Sequence, residues 1–331
     1  MWWRTLSLFC DMSLFDPDAL ECLAAIVEEG GFERAAVRLS ITQSAVSQRL
    51  RSLEVQVGTV LIVRSRPLRA TTAGRLLLKH AMQMRLLHAD LGRELKELAP
   101  GASGNERDDA PTSIAINADS IATWVLPALS RLACQGLALE IITDDQDFTF
   151  DWLREGRVLG CVTTLAATLR GCKVEALGAM RYVAVATPEF AQAHCPDGLT
   201  PHNFSHLPFV AFNRKDDLQA EFVASACGLK QVLLRQLFVP SSEGQVQAVL
   251  AGWGASVLPE MKVLTDLQAG RLVNIRPDHH LAVALYWHCW NLNSALLDAL
   301  TQALSSSAAR VLTPVNARPA RKPGRRAPSV Q

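Results

Sequence analysis

One stretch of the chain, FERAAVRLSITQSAVSQRLRSLEVQVG (residues 32–58), constrains its fold more than any other. Phe32 to Leu39 reads as a short helix. Its Ala35 and Ala36 are small enough to let a second helix pack closely. Ser40-Ile41-Thr42 then turns the chain, and either hydroxyl can cap the next helix. That helix, from Gln43 to Val57, buries Val46, Leu50 and Leu53 and stops at Gly58. Ahead of this pair, Pro17 to Glu29 carries Leu20, Leu23, Ala24, Ile26 and Val27 on one helical face and ends at Gly30-Gly31. Behind it, Val60–Val63 reads as a strand, Arg64–Pro67 as a turn and Leu68–Thr71 as a return strand. The pattern predicts a winged helix-turn-helix.

Charge supports a polyanion as partner for this region. Residues 34–85 hold ten Lys or Arg and one acid, Glu54, a net +9. The whole chain is only +1, because residues 86–309 are net −8 and residues 1–33 net −6. A further +6 lies in residues 310–331. A +9 stretch of fifty residues is an electrostatic footprint for nucleic acid. The first turn of the Gln43–Val57 helix offers Thr42, Gln43, Ser44, Ser47 and Gln48 to base edges, and Gln can bond two adenine positions at once. Arg49 and Arg51 suit phosphates. Arg64, Arg66 and Arg69, in the wing, suit the backbone or minor groove.

Thr72 to Leu98 contains no proline, and Leu77, Met84, Leu91 and Leu98 recur at heptad spacing with Leu87 and Leu95 between them. Such a seam wants a partner helix. Pro100 to Asp109 is a polar hinge. From Thr112 onward, short apolar strands alternate with helical segments: Ser113–Asn117, Ala138–Thr143, Val158–Thr163, Tyr182–Ala186, Phe209–Phe212, Gln236–Val239, Ser256–Leu258 and Ala282–Trp287. That is an α/β pattern. The expected fold class is therefore an α/β multidomain protein. Its parts are an N-terminal extension (1–12), a winged helix-turn-helix (13–71), a linker and dimerisation helix (72–99), a hinge (100–111) and an α/β body. A disordered basic tail (311–331) ends it. Met12 competes with Met1 as the true start.

Other classes find little support. The N-terminus lacks a signal-peptide cleavage pattern, and no run of about eighteen apolar residues is present, so neither secretion nor a membrane span is expected. None of the eight cysteines is spaced C-x-x-C, and free thiols in a reducing cytoplasm are expected. His202/His206 and His279-His280 read as surface histidines, and no metal or cofactor is expected. Gly252-Trp-Gly254 lacks the rest of a dinucleotide fingerprint. No G-x-S-x-G, H-E-x-x-H or P-loop occurs, so an enzyme is not expected. A ligand-independent architectural DNA-binding protein would not need an α/β body of two hundred residues.

At this point a resemblance adds to the reading. Residues 16–98 resemble the DNA-binding domain and linker helix of LysR-type transcriptional regulators. Four further segments, NADSIATWVLPAL (117–129), REGRVLGCV (154–162), VAFNRKDD (210–217) and PSSEGQVQAVLAGWGASVLPE (240–260), are similar to the ArgP/LysG subgroup. The resemblance implies a body of two lobes, 112–181 with 286–310 and 182–285, like a periplasmic binding protein. It implies a basic amino-acid effector, lysine or arginine, held in the cleft. It also implies a homodimer or homotetramer that contacts RNA polymerase and activates an amino-acid export gene. A LysR-type regulator of a different metabolite is the alternative.

The residues of the body allow an independent reading. A strand runs from Ile114 to Asn117 into Ala118-Asp119-Ser120, with a helix expected from near Ala122. A helix N-terminus suits the effector's carboxylate, and Ser120 and Thr123 add hydroxyl donors. Plain capping by Asp119 or Ser120 would account for the same residues. The cationic end needs acids, since a buried cation is costly unless paired. Candidates are Asp144, Asp145, Asp147, Asp216, Asp217 and Glu243, with Asp119 and Asp145 the favoured pair. Thr163, Thr164, Phe212 and Ser242 are candidate wall residues.

Overall fold

A computed structural model of the chain describes residues 15–66, 68–98, 112–143, 150 and 152–315. The chain divides into two compact units. One consists of the described residues of Met1–Ser113, Asp151–Leu159 and Asn293–Leu296, and the other holds the rest.

The first unit is built from α1 (Pro17–Glu28), α2 (Phe32–Arg38), α3 (Gln43–Val57), β1 (Ile62–Val63), β2 (Arg69–Ala70) and α4 (Thr72–Leu98). Asp16 caps α1, accepting from the Asp18 amide at 3.1 Å. Thr42 caps α3, accepting from the Ala45 amide at 3.2 Å. Ser40 does not cap. It takes a left-handed backbone, φ 54°, and the Ile41 amide donates to the Ala36 carbonyl at 3.0 Å. That closure ends a helix by a left-handed residue, a task usually given to glycine. The wing strands pair antiparallel but span two residues each, shorter than expected. Glu54, the acid of the basic stretch, accepts from the Leu61 amide at 2.9 Å and so anchors the wing. Cys22, Leu23, Ile26, Ala35, Val46, Leu53 and Leu61 close one core.

The heptad seam divides on α4. Leu77 and Met84 pack into this core, whereas Leu87, Leu91, Leu95 and Leu98 are exposed by 43 %, 52 %, 51 % and 81 %. The guanidinium of Arg85 donates to both carboxylate oxygens of Glu21 at 2.6 Å and to Glu28 at 2.8 Å, tying α4 to α1. Only the second half of the expected seam is thus open to a partner.

Among the described residues, the second unit, with the first two residues of β3 from the other, carries a sheet of seven strands: β3 (Thr112–Ala115), β4 (Leu139–Ile142), β5 (Gly160–Thr163), β6 (Cys172–Ala186), β9 (Ser256–Pro259), β10 (Val273–Asn274) and β11 (Leu281–Trp290). The order is β10-β6-β11-β5-β3-β4, with β9 also on β6. A smaller parallel pair, β7 (Pro208–Ala211) and β8 (Arg235–Phe238), adjoins β9 through a bridge from Phe209 to Ala255. Two strands are longer than the sequence pattern suggests. β6 begins ten residues before the expected Tyr182, and β11 extends to Trp290. They pair antiparallel throughout and run unbroken past residues 181–182 and 285–286, where the lobes were expected to divide. The ladder between them shifts register at Leu285/Tyr286.

Helices flank the strands: α5, a run of α, π and α turns over residues 118–134, then α6 (Pro188–His194), α7 (Leu218–Ala226), α8 (Ser242–Leu250), α9 (Glu260–Gln268) and α10 (Ala295–Val311). The tail does not begin at residue 311. Val311 closes α10, Leu312 is buried, and Thr313 bridges Ala179. The basic residues from Arg318 lie outside the described residues, as do the N-terminal extension and the whole hinge.

Candidate functional site

Two sites emerge, one in each unit. In the first, α3 presents its N-terminal turn. Thr42, Gln43, Ser44 and Gln48 are exposed, and Ser47 is half-buried. The Thr42 hydroxyl caps the helix and lies 2.9 Å from the Ser44 hydroxyl. Thr42 therefore positions the turn before it can read anything. Gln43 and Gln48 keep full side-chain reach. Arg51, Arg66 and Arg69 are exposed as expected for phosphate contacts. Arg49 departs from the expectation. Its guanidinium pairs with Asp18 at 2.9 Å and approaches the Cys22 sulfur, so it faces α1. Arg64 lies over the Phe32 ring, 5.3 Å from its centroid, which braces the wing against α2.

The second site forms where β3 and β5 end side by side. They are parallel neighbours, with Ile114 beside Gly160 and Ala115 beside Cys161. Continuing that register by two residues brings Asn117 level with Thr163. The helix after β3 starts at Ala118, four residues before the expected Ala122, so Asp119 and Ser120 lie inside its first turn. Neither caps it. The N-cap is Asn117, whose side chain makes no capping bond. The buried Asn117 Oδ1 and Ser120 Oγ have no hydrogen-bond partner among the described residues. A buried polar group without a partner is costly and calls for an explanation. The Thr123 hydroxyl donates to the Asp119 carbonyl at 2.6 Å, back within its own helix. It is not the open donor that sequence reasoning assigned.

Asp119 is the centre of the site. Tyr182, on β6, donates to one carboxylate oxygen at 2.8 Å, and Ser242, at the start of α8, donates to the other at 2.6 Å. Lys262, on α9, donates to the same Ser242 hydroxyl at 2.6 Å and stands 3.3 Å from Glu243. Burial, then the neighbouring Asp119 carboxylate, push the Tyr182 hydroxyl pKa well above its ordinary value, with Asp216 acting in the same direction. Burial lowers the Lys262 ammonium, while Glu243 and Asp119 oppose it. Asp216 accepts from the amides of Phe212 and Leu218 at 3.1 and 3.0 Å, which shapes the loop after β7. Thr163 is buried and accepts from the Leu165 amide at 3.4 Å. The structure thus joins Asp119 and Ser242 directly and brings Asp216 within electrostatic reach of Tyr182. Asp144, Asp145 and Asp147 lie outside the described residues.

Sequence reasoning missed Tyr182 and Lys262. A signal existed for the first: the chain has two tyrosines, and a tyrosine in an apolar strand needs a partner for its hydroxyl. No comparable signal marked Lys262. Among the described residues no group of His, Cys, Asp and Glu is arranged to hold a metal ion. No helix among them is long and apolar enough to cross a membrane.

A helix-turn-helix with a wing, joined in one chain to a ligand-domain sheet with an uncapped helix start, defines a class of ligand-responsive DNA-binding protein. Comparison with known families agrees. Residues 17–75 match the bacterial regulatory helix-turn-helix protein of the lysR family, and residues 108–309 match the LysR substrate binding domain. The chain belongs to the LysR family of transcription regulators. It is 41 % identical over 304 residues to the transcriptional regulator ArgP of Aeromonas salmonicida, covering 92 % of this chain and 100 % of that one. It is 42 % identical over 294 residues to LysG of Mycobacterium tuberculosis, covering 88 % and 93 %. Among solved structures, ArgP from Mycobacterium tuberculosis aligns with TM-score 0.77 at 40 % identity, over 91 % of this chain and 100 % of that one. Full-length LysG from Corynebacterium glutamicum with bound effector arginine aligns with TM-score 0.68 at 36 % identity, over 90 % and 100 %.

Proposed function

We propose that this LysR-type regulator senses a basic amino acid, arginine or lysine, and activates a gene for amino-acid export. The observation that carries the reading is the start of α5. An uncapped helix N-terminus with orphaned Asn117 and Ser120 side chains lies beside the Asp119 carboxylate. The helix end suits an α-carboxylate, and the acids around Tyr182 suit a cation. The arginine held by the Corynebacterium glutamicum relative supports the same ligand class. Asp145 supplies a further carboxylate at the cationic end, and Thr163 and Phe212 form walls. Two lobes, 112–181 with 286–310 and 182–285, close on the effector. The protein is a regulator, not an enzyme, and works on DNA in the cytoplasm as a homodimer or homotetramer, in contact with RNA polymerase.

In this reading Gln43, Ser44, Ser47 and Gln48 read bases while Arg51, Arg66 and Arg69 hold the backbone. The effector changes DNA grip because it binds one arrangement of the lobes better than the other. The test is fluorescence anisotropy on the DNA upstream of the protein's own gene. Arginine or lysine is expected to shift affinity, and Asp145→Asn to abolish that shift while leaving DNA binding intact. No change with either amino acid would contradict the reading.

A further inference from the structure

The Asp119 carboxylate is already engaged within the chain, and the engagement is polarised. Lys262 donates to the Ser242 hydroxyl, and that hydroxyl donates its own proton to Asp119. The ammonium is therefore one hydroxyl away from the carboxylate that the effector's cation is proposed to approach. Its side chain is 5 % exposed, whereas its other partner, Glu243, is 69 % exposed. A buried ammonium held by one hydroxyl and one mostly solvated carboxylate is poorly compensated for desolvation. It does not serve stability well, which directs attention to its field. With Lys262 present, Asp119 and Glu243 leave one net negative charge at this node. Without it they leave two.

We propose that Lys262 is an affinity- and specificity-setting residue, a built-in cation that competes with the effector's cationic side chain for Asp119. This inference rests on the reading that a basic amino acid binds beside Asp119. Lys262 acts through Ser242 and need not touch the effector. It raises the concentration at which the regulator responds, and it does so for effectors whose side chain is cationic. An ammonium that instead received the effector's carboxylate would act in the opposite direction, favouring binding.

The test is calorimetric titration of the full-length protein, wild type and Lys262→Met, with arginine, with lysine and with norleucine. Thermal melting checks that each variant is folded. Removing the competing charge is expected to tighten arginine by about tenfold and to leave norleucine unmoved. If Lys262→Met does not fold, Lys262→Gln gives the same readout. Unchanged or weaker arginine binding by a folded variant overturns the inference. So does equal tightening of arginine and norleucine, which would mark a packing effect. A wild type that binds neither arginine nor lysine overturns the functional reading and this inference together. A wild type that binds arginine beside an unchanged variant overturns the role of Lys262 alone.

Discussion

Ser40 holds a left-handed backbone at the one turn that sets the angle between α2 and α3. A serine there is mildly strained, and a β-branched residue is worse. Ser40→Gly is expected to be neutral or to stabilise by up to about 1 kcal/mol, and Ser40→Val to cost at least about 1 kcal/mol. Urea denaturation measures both, and equal stabilities would contradict the strained turn. Beside it, Gln43 is exposed at the first position of α3. Gln43→Ala is expected to lose about 1–3 kcal/mol on the specific operator and little on random DNA. Equal losses on both DNAs would remove its base-reading role. The Thr42 cap was legible, because the hydroxyl-then-helix pattern has a local cause. The choice of Thr42 over Ser40 was not, since it depends on backbone dihedrals that residue type does not reveal. Tyr182 and Lys262 were hidden for another reason. They meet Asp119 from β6 and α9, far along the chain, and only the fold brings them there.

At the scale of elements, α4 shows why spacing alone misleads. Leu77 to Leu98 recur as a single heptad seam, but Leu77 and Met84 belong to the core under α1. Periodicity reports which residues share a face and is silent on what covers it. The two halves should therefore respond differently. Leu91→Asp, on the exposed half, is expected to lower the oligomeric state with little loss of fold and to cripple binding to paired half-sites. Leu77→Asp should unfold the winged domain. Sizing chromatography with circular dichroism separates the two, and a wild type that runs as a monomer at micromolar concentration would contradict the seam. Each expected strand of the body overlaps an observed one, but β10 was not expected, and β6 and β11 are longer than expected. The first ten residues of β6 do not read as strand because Lys173, Glu175 and Arg181 break the apolar run; those three are exposed, whereas Leu177–Met180 and Tyr182–Ala186 are buried.

Across the whole molecule, charge is partitioned as function requires. The +9 stretch, residues 34–85, covers α2, α3, the wing and the first half of α4, while acids lie on α1 and its flanks and on the body that is proposed to take a cation. The basic residues from Arg318 to Arg326 add to the first of these. Deleting the chain after Pro314 is expected to leave sequence specificity intact and to flatten the salt dependence of binding, because fewer counterions are released. An unchanged slope would deny the tail a role on DNA. The class of fold was legible because its helix-turn-helix pattern is local and its charge is uneven. The geometry of the ligand site was legible only in outline. Asp119, Ser120 and Ser242 could be named from their places at strand ends, but the link from Asp119 to Ser242 spans 123 residues. The measurement that bears most directly on the central claim is calorimetric titration of the wild-type protein with arginine beside norleucine. Stranding buried carboxylates without a cation costs about 3–5 kcal/mol, so norleucine is expected to bind at least a hundredfold more weakly. Norleucine binding as tightly as arginine would contradict the basic effector and leave only the LysR-type assignment.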